Sequence, residues 1–155
     1  MSLLTVNKQY KPSIEVLLIV STPLTGKTEA LLQLPNACCI DLDGTADTFP
    51  GNVYSITKLS RSLNKGPITV LKMVMQEILD LKEKGKGFDF VIIDSITALC
   101  KKLEPIATQE FKKSDQGSTF SGSNAVLQAG WGNGDKFLDA EFLKLLPELL
   151  KLTNK

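Results

Sequence analysis

With 155 residues the chain has the length of one domain, and 43% hydrophobic and 23% charged residues mark a globular protein, neither disordered nor membrane-embedded. A net charge of +1 supplies no global field to gather nucleic acid, and the absence of histidine excludes imidazole bases and histidine-ligated metals, leaving carboxylate, cysteine, lysine or tyrosine. Cys38, Cys39 and Cys100 lack zinc-type spacing, and the longest apolar run, Val16 to Val20, is too short to span a bilayer or form a signal-peptide core, so a reduced, cytoplasmic chain without a membrane partner is expected.

Residues 14–20, IEVLLIV, are apolar and partly β-branched, which predicts a strand, and STPLTGKT after them predicts a loop. A helix is expected from near Lys27 to near Leu34, where Pro35 and Asn36 stop it. Ala37 to Leu42, ACCIDL, reads as a second buried strand closed by the turn pair Asp43-Gly44, with Cys38 and Cys39 facing opposite ways. Val53 to Ile56 reads as a short third strand. Arg61, the only arginine, reads with Lys58 and Lys65 as a solvated loop or a phosphate or neighbouring-subunit contact.

Pro67 opens a helix running to about Lys84, whose Ile68, Leu71, Met75, Ile78 and Leu79 fall on one face. Gly85 and Gly87 end it, and Lys82, Lys84 and Lys86 read as its solvated end. Phe88 to Ile93, FDFVII, predicts a strand delivering Asp94 at its carboxyl end. A helix from about Thr97 to Lys113 follows, with Pro105 expected to kink or divide it.

Residues 114–135 are rich in glycine, serine and asparagine and predict a mobile loop with a short helical turn around Asn124 to Ala129. Phe120 and Trp131 lie in it, each an anchor to the core or a ring on which a base stacks. Lys136 to Leu152 predicts a docked helix despite Pro147, and nothing after Lys136 reads as a strand. Strands apolar on both faces alternating with helices predict one α/β domain over 1–155, a three-layer sandwich around a mostly parallel sheet. Such sheets bind ligands at the carboxyl ends of their strands, where the loop after Val20, Asp43 and Asp94 would meet.

The segment Ser21-Thr22-Pro23-Leu24-Thr25-Gly26-Lys27-Thr28 matches the phosphate-loop pattern G-x-x-x-x-G-K-[ST] at every fixed position but the first, where Ser21 replaces glycine. Its chemistry survives that change. Backbone N–H groups and a helix start supply partial positive charge, Gly26 permits close approach, Lys27 reaches the outer phosphates, and the Thr28 hydroxyl ligates magnesium, with Glu29 next along. Asp94 is the matching carboxylate for Mg²⁺, and the expected ligand is a nucleoside triphosphate, ATP. The alternative for the loop is a surface turn with an incidental lysine.

The apolar strand followed by Asp94-Ser95 and the Ile-Thr-Ala-Leu helix start, together with the Gly-Lys-Thr loop, resembles the RecA-like P-loop ATPases, particularly phage-type AAA/RecA-like nucleotide-binding proteins. In that family the strand after the P-loop helix ends in Asp-x-Glu, whose glutamate activates water. Asp41-Leu42-Asp43 stands there in this chain, so the resemblance implies Asp43 as the base, against its alternative use as a turn residue before Gly44. One methylene shorter than glutamate, Asp43 makes slow hydrolysis or none an expectation too. The family places a further strand between the P-loop and Walker B strands. Without it, this chain is either a shortened form or one whose two strands are direct neighbours.

The resemblance implies an ATPase working on single-stranded DNA in recombination or replication, assembled as a homo-oligomer, in a bacterial cell or phage-infected host. A nucleotide-dependent binding or assembly module without turnover is the alternative. A small-molecule kinase is disfavoured, because a single arginine cannot build the usual lid.

Overall fold

The computed structural model describes residues 16–20, 22, 25–122, 126–129 and 134–153. Ser21, Pro23, Leu24 and Trp131 lie outside them, and so does most of the glycine-rich stretch around Trp131. The central sheet has three strands, β1 (Ala37–Asp41), β2 (Asn52–Ser55) and β3 (Phe90–Asp94), in the order β2-β1-β3. Both pairings are parallel, and Asp41 stands in register between Ser55 and Asp94. Every residue of β1 is buried. An unbroken apolar run is what a central parallel strand requires, since both its faces are covered.

Alternate residues of β1 serve different layers. Ala37 and Cys39 pack with Ile92 and Ala46 against Leu31, Leu32 and Leu34, at and just after helix α1 (Lys27–Leu32). Cys38, Ile40 and Leu42 join the larger core beneath α3 (Pro67–Glu83) and α4 (Ile96–Lys113), with Leu71, Val74, Ile78, Leu99 and Leu103. Each such fully buried leucine or isoleucine contributes about 1.5–3 kcal/mol of transfer free energy. Helices thus cover both faces of the parallel sheet, as the α/β reading expects.

The two thiols are where this burial becomes chemically measurable. Desolvation, with help from Glu77 at Cys38 and from Asp94 and Asp41 at Cys39, pushes both from 9.0 up to about 12. A thiol that ionises at 9.0 unfolded and only near 12 folded stabilises the protein fully below pH 9 and loses that contribution between pH 9 and 12. Urea midpoints are therefore expected to fall across that window, and the fall should be shallower in Cys39→Ala.

Four local differences from the sequence reading have physical causes. Residues 16–20 form no strand; Val16 is 63% and Val20 84% exposed, because an apolar β-branched run needs a paired neighbour and none of the described residues offers one. The basic stretch expected as a loop is helix α2 (Ile56–Leu63), which packs against α3 and ends on Asn64 at φ 51. Pro105 does not divide α4, which runs unbroken past it. A bridge joins Thr153 to Phe88 in parallel, so the chain after Lys136 does make one strand-like contact.

Lys82 corrects a further expectation. It is half-buried and its Nζ donates to the carbonyls of Lys151 and Thr153, fastening that segment to α3. The final helix α5 (Asp135–Leu149) packs along α4 and contains Pro147. Phe120 anchors its loop: Phe111 meets Phe120 and Phe137 edge-on at centroid distances of 5.4 and 5.2 Å. A short 3₁₀ turn, Val126–Gln128, follows; the Thr108 hydroxyl donates to Glu104 O and accepts from Val126 N, so both polar roles are met where Thr108 is fully buried.

Candidate functional site at the carboxyl edge of the sheet

Gly26 has φ 77 and forms the N-cap of α1, a left-handed conformation that glycine adopts without strain from a Cβ. Its carbonyl accepts from Ala30 N at 2.9 Å, so the helix starts within the Gly-Lys-Thr signature. Lys27 and Thr28 follow as half-buried residues of the first turn, beside exposed Glu29. The Lys27 ammonium donates to Thr22 O at 2.9 Å and the Thr25 hydroxyl to the same carbonyl at 3.0 Å. One carbonyl therefore draws both ends of the described loop together.

Asp94 is the last residue of β3, and its Oδ2 accepts from the Thr28 hydroxyl at 2.6 Å. Two groups far apart in sequence, each expected to serve magnesium, are thus brought into contact by the packing of α1 against the sheet. Asp43 lies beyond β1, exposed, and its Oδ2 accepts from the Ser95 hydroxyl at 2.8 Å. Ser95 was not picked out as a site residue. It is the N-cap of α4, accepting from Ala98 N at 3.2 Å, and a serine just before the periodic run Ile-Thr-Ala-Leu was the available signal. Because Ser95 neighbours Asp94, its hydroxyl ties Asp43 to the Thr28–Asp94 pair.

The fit of these side chains to magnesium rests on their donor chemistry. A hydroxyl and a carboxylate in contact are hard oxygen donors, and Mg²⁺ is commonly held by one or two such groups with phosphates and water completing its shell. Among the described residues no three cysteine, aspartate or glutamate side chains gather into an all-protein metal cage.

The sequence profile of one protein family, described as an AAA domain, matches residues 15–155. The chain belongs to this family. No curated protein and no solved structure matches it. Membership carries the P-loop α/β fold and the nucleotide-binding ATPase character of the AAA domain, in agreement with a parallel sheet whose carboxyl edge meets a Gly-Lys-Thr helix start. No helix of this AAA domain, among the described residues, is long and apolar enough to cross a membrane.

Ser95 offers a direct check on the geometry. Ser95→Ala removes the side-chain acceptor at the start of α4, which should cost about 1 kcal/mol, whereas Ser95→Thr should stay within a few tenths of a kcal/mol. Thermal unfolding of the two variants reads the difference, expected as a melting temperature roughly 2–4 °C lower for alanine.

Proposed function

We propose that this AAA domain binds Mg·ATP at the loop Ser21-Thr22-Pro23-Leu24-Thr25-Gly26-Lys27-Thr28 with Glu29 adjoining, and hydrolyses it slowly. The observation supporting this reading is the 2.6 Å contact between Thr28 and Asp94, the two groups the reading assigns to the metal of a triphosphate. Lys27 swings from Thr22 O to the outer phosphates, exchanging a carbonyl partner for anionic oxygen. Thr28 and Asp94 would hold the magnesium ion, which when bound neutralises charge on the transferring phosphate.

Asp43 is the candidate for orienting the attacking water. Its exposed carboxylate, held by the hydroxyl of Ser95 next to Asp94, supports that role, although one oxygen is already engaged. The same engagement favours a second reading, a module that binds nucleotide to set a conformation or a subunit contact without turnover. Phosphate release separates the two. A RecA-like, phage-type role on single-stranded DNA within a homo-oligomer, in the cytoplasm, rests on resemblance in the Walker regions alone; salt-dependent binding of single strands tests it, and no binding at low salt removes it.

The deciding experiment is thermal unfolding with and without Mg·ATP, with phosphate release followed in the same samples. A melting shift with release supports the hydrolase, a shift without release supports the binding module, and no shift removes both.

A further inference from the structure

We propose that Asp41 is a positioning residue whose buried carboxylate fixes the turn that holds Asp43 against Ser95 and so beside the Thr28–Asp94 pair. The proposal rests on the reading of Asp43 as the water-orienting group. Asp41 ends β1 with 0% exposure, and its register partners are Ser55 on β2 and Asp94 on β3. Register partners on parallel strands point to one face, so Ser55, Asp41 and Asp94 form a polar row on the α1 side of the sheet.

Burying a carboxylate is costly unless its lone pairs are engaged, and an apolar side chain would stabilise this core position better. What Asp41 supplies in return is shape. Its Oδ1 accepts from Gly44 N at 2.7 Å and from Thr45 N at 3.3 Å, closing the chain into a tight turn around Leu42 and Asp43. Gly44 takes φ 80, the conformation that reverses the backbone there. Leu42 N donates to Asp94 O at 2.6 Å, extending the β1–β3 pairing to the residue before Asp43.

Asp43 is consequently held twice, through its backbone by the Asp41 turn and through its side chain by Ser95. The remaining oxygen of Asp41 and the Ser55 hydroxyl are both buried without a hydrogen-bond partner among the described residues. Asparagine at 41 would keep the Oδ1 acceptor for Gly44 and Thr45 and put an N–H donor in place of the second oxygen, whereas alanine would leave both backbone N–H groups unpartnered.

The test compares wild type, Asp41→Ala and Asp41→Asn at a temperature where all three are folded, reading amide exchange at Gly44 and Thr45, KM for Mg·ATP, and kcat. Asp41→Ala should lose protection at both amides and drop kcat roughly tenfold to a hundredfold with KM within about twofold, since misplacement of a reacting group acts on the chemical step. Asp41→Asn should restore the amides and the rate. Rapid exchange at Gly44 and Thr45 in wild type overturns the proposal, as does an asparagine variant as slow as alanine, which would make Asp41 a base or ligand itself. If wild type binds ATP and releases no phosphate, hydrolysis fails as a reading, while the two amides still decide whether Asp41 holds the turn.

Discussion

Lys27→Ala is expected to abolish stabilisation by Mg·ATP while leaving the unliganded fold almost unchanged. In the free protein the ammonium makes an exposed hydrogen bond to Thr22 O, and surface contacts of that kind contribute within about 0.5 kcal/mol. With ATP at one hundred times its dissociation constant, wild type should gain about 2.7 kcal/mol from ligand binding. For a chain of this size that is a melting shift of roughly 5–10 °C. The variant should show almost none, because it lacks the ammonium that the proposed function places on the outer phosphates. Equal shifts in the two proteins would mean that ATP binds elsewhere, and the phosphate-loop reading would then fall. A shift confined to wild type, with phosphate release also confined to it, would assign both binding and turnover to this loop.

Elements fully wrapped by their own neighbours were the ones legible in the sequence. β1 and α3 follow the expected bounds closely, because ACCIDL is apolar on both faces and the Pro67 helix is apolar on one, and each pattern reports its own burial. The run IEVLLIV has the same character, yet its residues 16–20 form no strand pairing among the described residues. Hydrophobicity states that a segment needs a neighbour and does not state that one is in reach. Helix α2 was hidden for the opposite reason: serine, threonine and lysine dominate Ile56–Leu63, and only the spacing of Ile56, Leu59 and Leu63, with Asn64 as a left-handed cap, betrays it.

At the site, the legible part was chemical identity and the illegible part was contact. Gly26, Lys27, Thr28 and Asp94 stood out because each occupies a motif position, and the fold puts the Thr28 hydroxyl in hydrogen-bond contact with Asp94. Ser95 and Lys82 act through tertiary hydrogen bonds that no window of sequence contains. Asp41 reads from the sequence as a support for its loop or a neighbour rather than a chemical group, and its bonds to Gly44 and Thr45 are local; its full burial depends on β2 and β3 closing on both sides.

Asp94→Asn should separate the charge of this residue from its shape. The amide oxygen can still accept from the Thr28 hydroxyl, so stability is expected to stay within about 1 kcal/mol of wild type. The negative charge is gone, and with it the hard anionic donor that the proposed function assigns, with Thr28, to magnesium. Turnover should therefore fall by about a hundredfold to a thousandfold, the usual scale for removing one group that stabilises developing charge. Raising the magnesium concentration should recover part of the loss, because weaker metal binding is offset by mass action. Asp94→Ala should lose turnover as far and stability further, since the half-buried Thr28 hydroxyl then has no carboxylate to receive it. An Asn variant with turnover within threefold of wild type would deny Asp94 the metal and leave the Thr28 contact as a packing feature, and a rate loss indifferent to magnesium would move Asp94 from the metal to the position of its neighbours Ser95 and Asp43.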